Sequence, residues 1–495
     1  MDRKKILIIG AGIGGLASAL RLVKNGYEVE IVEKYYQPGG RINQIKKDGF
    51  IFDTGPSFFS MSYVFEKFAK DCKIKLPFTY KELEPLSLID FDNKKKIILY
   101  KDIKKLNEQF LEIEKNFEKK FQKYLKRSKE LFDATFYNII QKNHNSLLSY
   151  FFTLLKINPK YFPYLFRSFY EEVKRYFNSK EATTIFSLIS FFLGKTPMET
   201  MSVYSLLSYI EFVYDGYYYV EGGMYKIIEG LIKELENEGV KFYYNTEIVE
   251  YLNEGNKIKY FIDQRGNKWQ ADVFLINSDA AYFRGKVLKN KNYSYEKLNK
   301  MDWTPGYLTI YLGIKEKLDN LLYHNYFLGY DFENYCKKLI NDKKIPEKPY
   351  YYVNVLTKKN PELAPENCES LLFVCPVPNL IYKNNWEDKE KIVEEIINDF
   401  SLKIGKDIKN NILVKIIYTP EDWQNNFNLY KGSGLGLSHN FFQVGYFRPK
   451  NYDENFKNVF YVGSSTVPGA GIPMAIISSK LAFERIIKYL HKELR

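Results

Sequence analysis

Cysteine and histidine are scarce. Cys72, Cys336, Cys368 and Cys375 are the only cysteines in 495 residues, and no two form a C-x-x-C pair. This excludes a disulfide-built fold and argues against a zinc knuckle or thioredoxin-type redox centre. Four histidines, His144, His324, His439 and His491, leave little for a His-rich centre, so no metal site is expected. No stretch reaches the ~18 consecutive apolar residues of a spanning helix. The N-terminal apolar run is short and broken by glycines, unlike a secretory leader. The expected location is the cytoplasm or the inner face of a membrane. No G-x-S-x-G, internal repeat or Gly/Ser linker occurs. What is present is length, enough for a large core without staples, and basic charge. Lys plus Arg (73) exceeds Asp plus Glu (60) by 13, which suits nucleic acid, anionic lipid or an anionic cofactor. Lys, Asn, Tyr, Ile and Phe are all abundant, as in AT-rich coding, and most of the excess is attributed to that bias.

Lys4 to Ile9 reads as a buried strand, Gly12 to Lys24 as a helix with Leu16, Ala19, Leu20 and Val23 on one face, and Glu28 to Glu33 as a second strand. This β-α-β unit calls for a parallel sheet. Residues 76 to 219 are expected to form a mostly helical insertion, with helical spacing over Asn107 to Phe132 and Thr183 to Val213. A helix over Gly222 to Asn237 and a strand over Val240 to Tyr244 follow. Ile258 to Ile262 and Lys268 to Ile276 suggest a hairpin turning at Gln264-Arg265-Gly266. Further strands are expected at Tyr307 to Leu312, Tyr350 to Leu356, Ser370 to Val374 and Val459 to Val462, and helices near Lys389 to Leu402 and Gly471 to Leu490.

Gly10-Ala11-Gly12-Ile13-Gly14-Gly15 fits G-x-G-x-x-G between the first strand and helix. Gly10 permits the turn, Gly12 admits a pyrophosphate, and Gly15 lets helix approach strand; the helix N-terminus offers free N–H groups. Glu33 ends the second strand, where a carboxylate accepts hydrogen bonds from ribose hydroxyls. A dinucleotide is therefore expected. Pro38-Gly39-Gly40-Arg41 and Asp53-Thr54-Gly55-Pro56-Ser57 add a second glycine-arginine loop, for which a nicotinamide dehydrogenase has no evident need, and this favours FAD. No second fingerprint indicates a separate NAD(P)H site. Val462-Gly463 and Gly469-Ala470-Gly471-Ile472-Pro473-Met474 lead into a last helix whose positive end can face a flavin pyrimidine.

The whole pattern resembles the bacterial-type phytoene desaturase family of FAD-dependent carotenoid desaturases, from residue 5 to about residue 488. The glycine loops are common to the wider amine-oxidase-like flavoproteins. More specific are Gly216 to Met224, Leu363-Ala364-Pro365-Glu366 with Val374-Cys375-Pro376-Val377-Pro378, Thr419 to Trp423 with Gly436 to His439 and Phe447-Arg448-Pro449, and Tyr461 to Pro473. Val220 and Glu221 depart from the usual proline-containing pair, Asn367 replaces a glycine, and Ser464 stands where Asp or Ala is common. The resemblance implies an α/β fold: a Rossmann-like FAD-binding domain of the glutathione-reductase/amine-oxidase type and a discontinuous α+β substrate domain with a helical membrane-facing insertion. The expected ranges are 1–75, 220–290 and 431–495 for the first, and 76–219 and 291–430 for the second. Expected FAD contacts are Gly10, Gly12, Gly14, Gly15, Glu33, Gly40, Arg41, Gly55, Pro56, Ser57, Ile248, Gly463, Ile472, Pro473 and Met474.

The implied reaction removes two hydrogens from adjacent carbons of a polyene, phytoene or dehydrosqualene, with hydride transfer to flavin. No acid or base is assigned; Arg167 and His439 are candidates. Such a substrate lies in the membrane, and the aromatic and basic segment Asn145 to Phe177 is the candidate contact, giving a cytoplasmic protein held peripherally at the membrane surface. A buried helix pair is the plainer reading of that segment. A flavin-dependent carotenoid isomerase or retinol-type saturase, an amine oxidase, and a flavin-bound lipid carrier are the alternatives.

Overall fold

The computed structural model describes residues 3–92, 94–144, 146–339 and 343–493. Asn145, the first residue of the aromatic and basic segment, lies outside the described residues, as do the extreme ends of the expected domain ranges.

Lys5–Ile9 is apolar on both faces and takes the middle of a five-stranded parallel sheet. The order is Lys241–Tyr243, Glu28–Val32, Lys5–Ile9, Val273–Ile276 and Val459–Tyr461. Alternation along the strand splits its contacts. Ile6 and Ile8 pack with Leu16, Leu20, Leu231 and Leu481 of the helices Ile13–Val23, Lys226–Asn237 and Ile472–Glu493. Leu7 and Ile9 pack on the other face with Ile248, Ile258 and Phe261 of a three-stranded antiparallel sheet. This is the Rossmann-like α/β arrangement expected from the first 33 residues.

The second sheet has seven strands in the order Ile412–Tyr418, Gly306–Ile314, Glu369–Val377, Tyr351–Val355, His324–Leu328, Ser87–Phe91 and Lys95–Leu99. Leu308, Ile310 and Leu312 face the helix Lys389–Ile404 through Val393, Ile396 and Phe400. The alternate positions Tyr307 and Thr309 face the interior cavity, as do Tyr326 and Tyr352 of neighbouring strands.

Three expectations need correction. Residues 76–219 do not begin helical: Tyr80–Glu82, Ser87–Phe91 and Lys95–Leu99 are strands, and the helices start at Ile103. The Asn107 to Phe132 helix is two helices, Ile103–Phe110 and Phe117–Thr135, parted before Asn116, which takes left-handed φ 58. Lys268 to Ile276 is not one hairpin arm. Lys268–Gln270 pairs with Lys257–Asp263, and Val273–Ile276 then joins the parallel sheet. Asp272 forces the change, because its carboxylate accepts the Lys5 N–H at 2.8 Å while its own N–H donates to the Lys5 carbonyl at 2.9 Å.

Candidate active site

The ends of the parallel strands and the loops beside them open into one cavity of about 690 Å³. Gly10, Gly12, Gly14, Glu33, Gly40, Arg41, Gly55, Pro56, Ser57, Ile248, Gly463, Ile472, Pro473 and Met474 all line it. Gly15 does not. It lies behind the loop, where a Cβ would sit 2.4 Å from the Gly10 carbonyl oxygen, so its smallness serves helix-on-strand packing. The glycine loops approach backbone to backbone: Gly12 bridges Gly39, and a Cβ on Gly40 would lie 3.5 Å from the Gly12 Cα.

Glu33 closes this region. Its carboxylate accepts the Ala11 N–H at 2.7 Å and the Tyr35 N–H at 2.8 Å, tying the second strand to the first glycine loop. Burial pushes its pKa up, and the two amides oppose that. Arg41 donates to the Gly434 carbonyl at 2.9 Å and to the Ser464 hydroxyl. Burial lowers its pKa, and Asp279 works against the shift. Asp279, raised by burial, takes the Tyr282 N–H at 3.0 Å and the Ser465 hydroxyl at 3.1 Å.

The two catalytic candidates separate. His439 lines the cavity, with Nδ1 at 3.2 Å from the Leu193 carbonyl and Nε2 accepting the Ala470 N–H at 3.3 Å. That pairing puts the ring proton on Nδ1. Burial, helped by Arg448, pushes its pKa down to about 3, so the ring is neutral and already engaged on both sides. Arg167 is not among the cavity-lining residues; it pairs with the buried Glu172 at 2.6 Å and lies over the Tyr164 ring.

Sequence reasoning missed three features. The Asn277 side chain sits among the glycines: its amide donates to the Gly10 carbonyl at 3.2 Å, and a Cβ on Gly12, Gly14 or Gly463 would come within 2.9 Å of it. Arg448, inside the Phe447-Arg448-Pro449 motif, is buried and donates to the carbonyls of Ser464 at 2.8 Å and Thr466 at 3.0 Å, fixing the C-terminal loop. The third feature is the wall beyond the loops, where Phe58, Tyr217, Tyr307, Tyr326 and Tyr352 line the cavity together with Glu211, and Tyr217 and Tyr326 face that carboxylate. The cavity is also lined by Ile139, His144, Tyr150, Leu165 and Tyr446.

The family model for flavin containing amine oxidoreductases matches residues 13–487. The chain belongs to this family. Within it, the chain is similar to a zeta-carotene-forming phytoene desaturase of Myxococcus xanthus, 30% identical over 99% of this chain and 95% of the relative. It is also similar to a 4,4'-diapophytoene desaturase (4,4'-diapolycopene-forming) of Methylomonas sp, 27% identical over 99% of this chain and 96% of the relative. The crystal structure of an oxidoreductase from Methanosarcina mazei has the same fold, with TM-score 0.67 at 18% identity, covering 97% of this chain and 100% of that one. The chain is an FAD-dependent oxidoreductase, and it groups with the bacterial-type phytoene desaturases of the family. Its own residues fit that cofactor. The helix Ile13–Val23 begins at Gly12 with no side-chain cap and no acid in its first turn, leaving N–H groups for phosphate. The helix Ile472–Glu493 likewise has no acid in its first turn, and its first residue lines the same cavity.

Proposed function

We propose that the protein is an FAD-dependent carotenoid desaturase that introduces double bonds into phytoene or the C30 chain dehydrosqualene. The observation that carries this reading is a single cavity that joins the glycine loops to an aromatic, apolar chamber. Bound FAD supplies a hydride acceptor. Gly10, Gly12 and Gly14 would hold the pyrophosphate beside the helix N-terminus, Glu33 the ribose, and Ile248 the adenine end. Gly40, Arg41, Gly55, Pro56, Ser57, Gly463, Ile472, Pro473 and Met474 would hold the ring system, with Gly15 acting behind the loop. The aromatic walls hold the polyene straight against that ring system and keep water out. The same reading assigns 1–75, 220–290 and 431–495 to FAD and the remainder to substrate. The test is to supply purified holoprotein with phytoene or dehydrosqualene in liposomes and record the product spectrum. A longer conjugated chain supports desaturation; an unchanged chromophore, or a geometric isomer alone, overturns it.

The protein is further read as a peripheral membrane protein of the cytoplasmic face. No helix of the described residues is long and apolar enough to cross a bilayer. Support for surface attachment comes from the helix Leu147–Leu155, started by the Ser146 hydroxyl accepting the Ser149 N–H at 3.1 Å. Leu147, Leu148, Phe151, Phe152 and Leu155 are exposed, and only Tyr150 of the helix is buried. Phe162 and Phe166 continue the surface, and Phe442 and Phe447 adjoin it from a distant part of the chain, with Phe166 packed 5.9 Å from Phe441. The exposed stretch is shorter than the expected Asn145 to Phe177, because Phe169, Val173 and Phe177 are core.

A further inference from the structure

The cavity-lining carboxylates fall into two places. Glu33 and Asp279 are engaged at the loops described above, and Glu247 takes the Tyr282 hydroxyl at 2.7 Å. Glu211 stands apart. It belongs to the short turn Ile210–Tyr214 and lines the aromatic chamber. The charged and titratable groups that face it are tyrosines from three other elements: Tyr124, Tyr217 and Tyr326. Among the described residues no Lys or Arg lies within ion-pair distance of it. Phe58 packs at 5.2 Å on both Tyr217 and Tyr352, and the Tyr352 hydroxyl meets Ser57 at 2.9 Å. One layer of rings therefore links Glu211 to the Gly55-Pro56-Ser57 loop. Two basic groups of the cavity are committed elsewhere. His439 is held by backbone on both nitrogens, and the Lys450 ammonium lies 3.2 Å from the centre of the Tyr446 ring and donates to that residue's carbonyl.

Resting on the desaturase reading, we propose that Glu211 is the acceptor of the proton released as each double bond forms. One substrate C–H bond breaks with its electron pair leaving as hydride to FAD, the oxidant. The adjacent C–H bond breaks, its electron pair becomes the second bond between the two carbons, and its proton passes to the ionised Glu211 carboxylate. The Tyr217 hydroxyl beside that carboxylate steadies the ionised form. Burial pushes the Glu211 carboxyl up to about 8, which makes it a stronger base than an ordinary carboxylate. The three facing tyrosines are pushed above their ordinary value by burial and stay neutral in that range.

The test compares wild type with Glu211→Gln and Glu211→Asp. The readouts are FAD content, phytoene binding, anaerobic bleaching of the flavin by liposome-borne phytoene, and the infrared carboxyl band of the apoprotein. Glu211→Gln is expected to bind FAD and phytoene as wild type does and to bleach about 10²–10⁴-fold more slowly. The wild-type rate should rise with pH through about 8 and that rise should vanish in the variant. The apoprotein should show a protonated-carboxyl band that titrates in the same range and is missing in Glu211→Gln. If wild type itself never bleaches, the desaturase reading and the proposal fall together. If wild type bleaches and Glu211→Gln matches it in rate and pH profile, the proposal alone is overturned. If Glu211→Gln does not hold FAD, Glu211→Asp decides: retained FAD with a slowed, pH-shifted rate supports the proposal. Loss of FAD there too makes Glu211 a structural residue and overturns it.

Discussion

Replacing Phe151, Phe152, Phe162 and Phe166 together by Ser is the sharpest test of how the protein meets its substrate. These residues are 53%, 56%, 36% and 79% exposed, so on average a little over half of a ring is free to enter lipid. At roughly 2 kcal/mol for a fully transferred Phe side chain, the four have about 4 kcal/mol to gain, and half-depth insertion about 2 kcal/mol. The latter is about thirtyfold in partition between water and bilayer. Charge adds less. Lys160 and Arg167 are already paired with Glu130 at 3.4 Å and Glu172 at 2.6 Å, and a surface attraction of ~1 kcal/mol per residue is screened by salt. Flotation with liposomes should therefore show wild type only partly released by salt and fully released by detergent, while the quadruple variant stays largely unbound at any salt. Its FAD content and thermal midpoint should hold, because the replaced rings are exposed. Equal flotation of variant and wild type would refute the reasoning, and loss of FAD with aggregation would show that the rings belong to the core.

Glu33→Ala removes the acceptor for the Ala11 and Tyr35 N–H groups, so the apoprotein should lose about 1.5–3 kcal/mol in denaturant unfolding and the holoprotein should shed FAD on gel filtration; an unchanged apoprotein would separate the residue from loop packing. His439 is held neutral with its pKa pushed from 6.5 down to about 3, so the unfolded chain binds the extra proton below 6.5. Stability from this group is complete above pH 6.5 and is lost as pH falls toward 3, at about 1.4 kcal/mol per pH unit. The stability gap between wild type and His439→Gln should narrow or reverse across that range, and a pH-independent gap would contradict it.

Elements buried on both faces, such as Lys5–Ile9 and Val459–Tyr461, announce themselves as apolar runs, and the glycine loops do so by spacing. Ile248–Glu254 does not, because its residues beyond Ile248 are mostly solvent-facing. Lys95–Leu99 is hidden in a lysine run, although Ile97 and Leu99 are core. The site follows the same division. Loop residues read from local sequence line the cavity, whereas Asn277 enters the glycine cluster from 267 positions beyond Gly10, and no local pattern marks it. The tyrosine wall was equally silent: among 43 tyrosines, position in the seven-stranded sheet alone distinguishes Tyr307, Tyr326 and Tyr352. Arg167 is the converse case: it is not among the cavity-lining residues and is paired with a nearby acid, Glu172.

The cavity lining around Tyr150 bears on a problem that the proposed substrate creates. A hydrocarbon of thirty to forty carbons gains about 0.8 kcal/mol per CH₂ on leaving water, so a route through solvent would cost more than any site could return. Substrate must pass from lipid to flavin without becoming wet. The helix Leu147–Leu155 has the two faces such a transfer needs: Tyr150 lines the cavity while Phe151 and Phe152 point outward. Tyr446 and Gly445 also line the cavity beside this helix: the Tyr446 ring lies 6.2 Å from that of Tyr150, and a Cβ on Gly445 would overlap the Tyr150 hydroxyl. Phe447, next in sequence, is back on the exposed apolar surface. Tyr150 and Tyr446 therefore each line the cavity within a residue or two of the exposed apolar surface. Under the proposed reading the helix and the 441–447 loop act as one device, which makes the exposed phenylalanines part of the substrate path as well as of the membrane anchor.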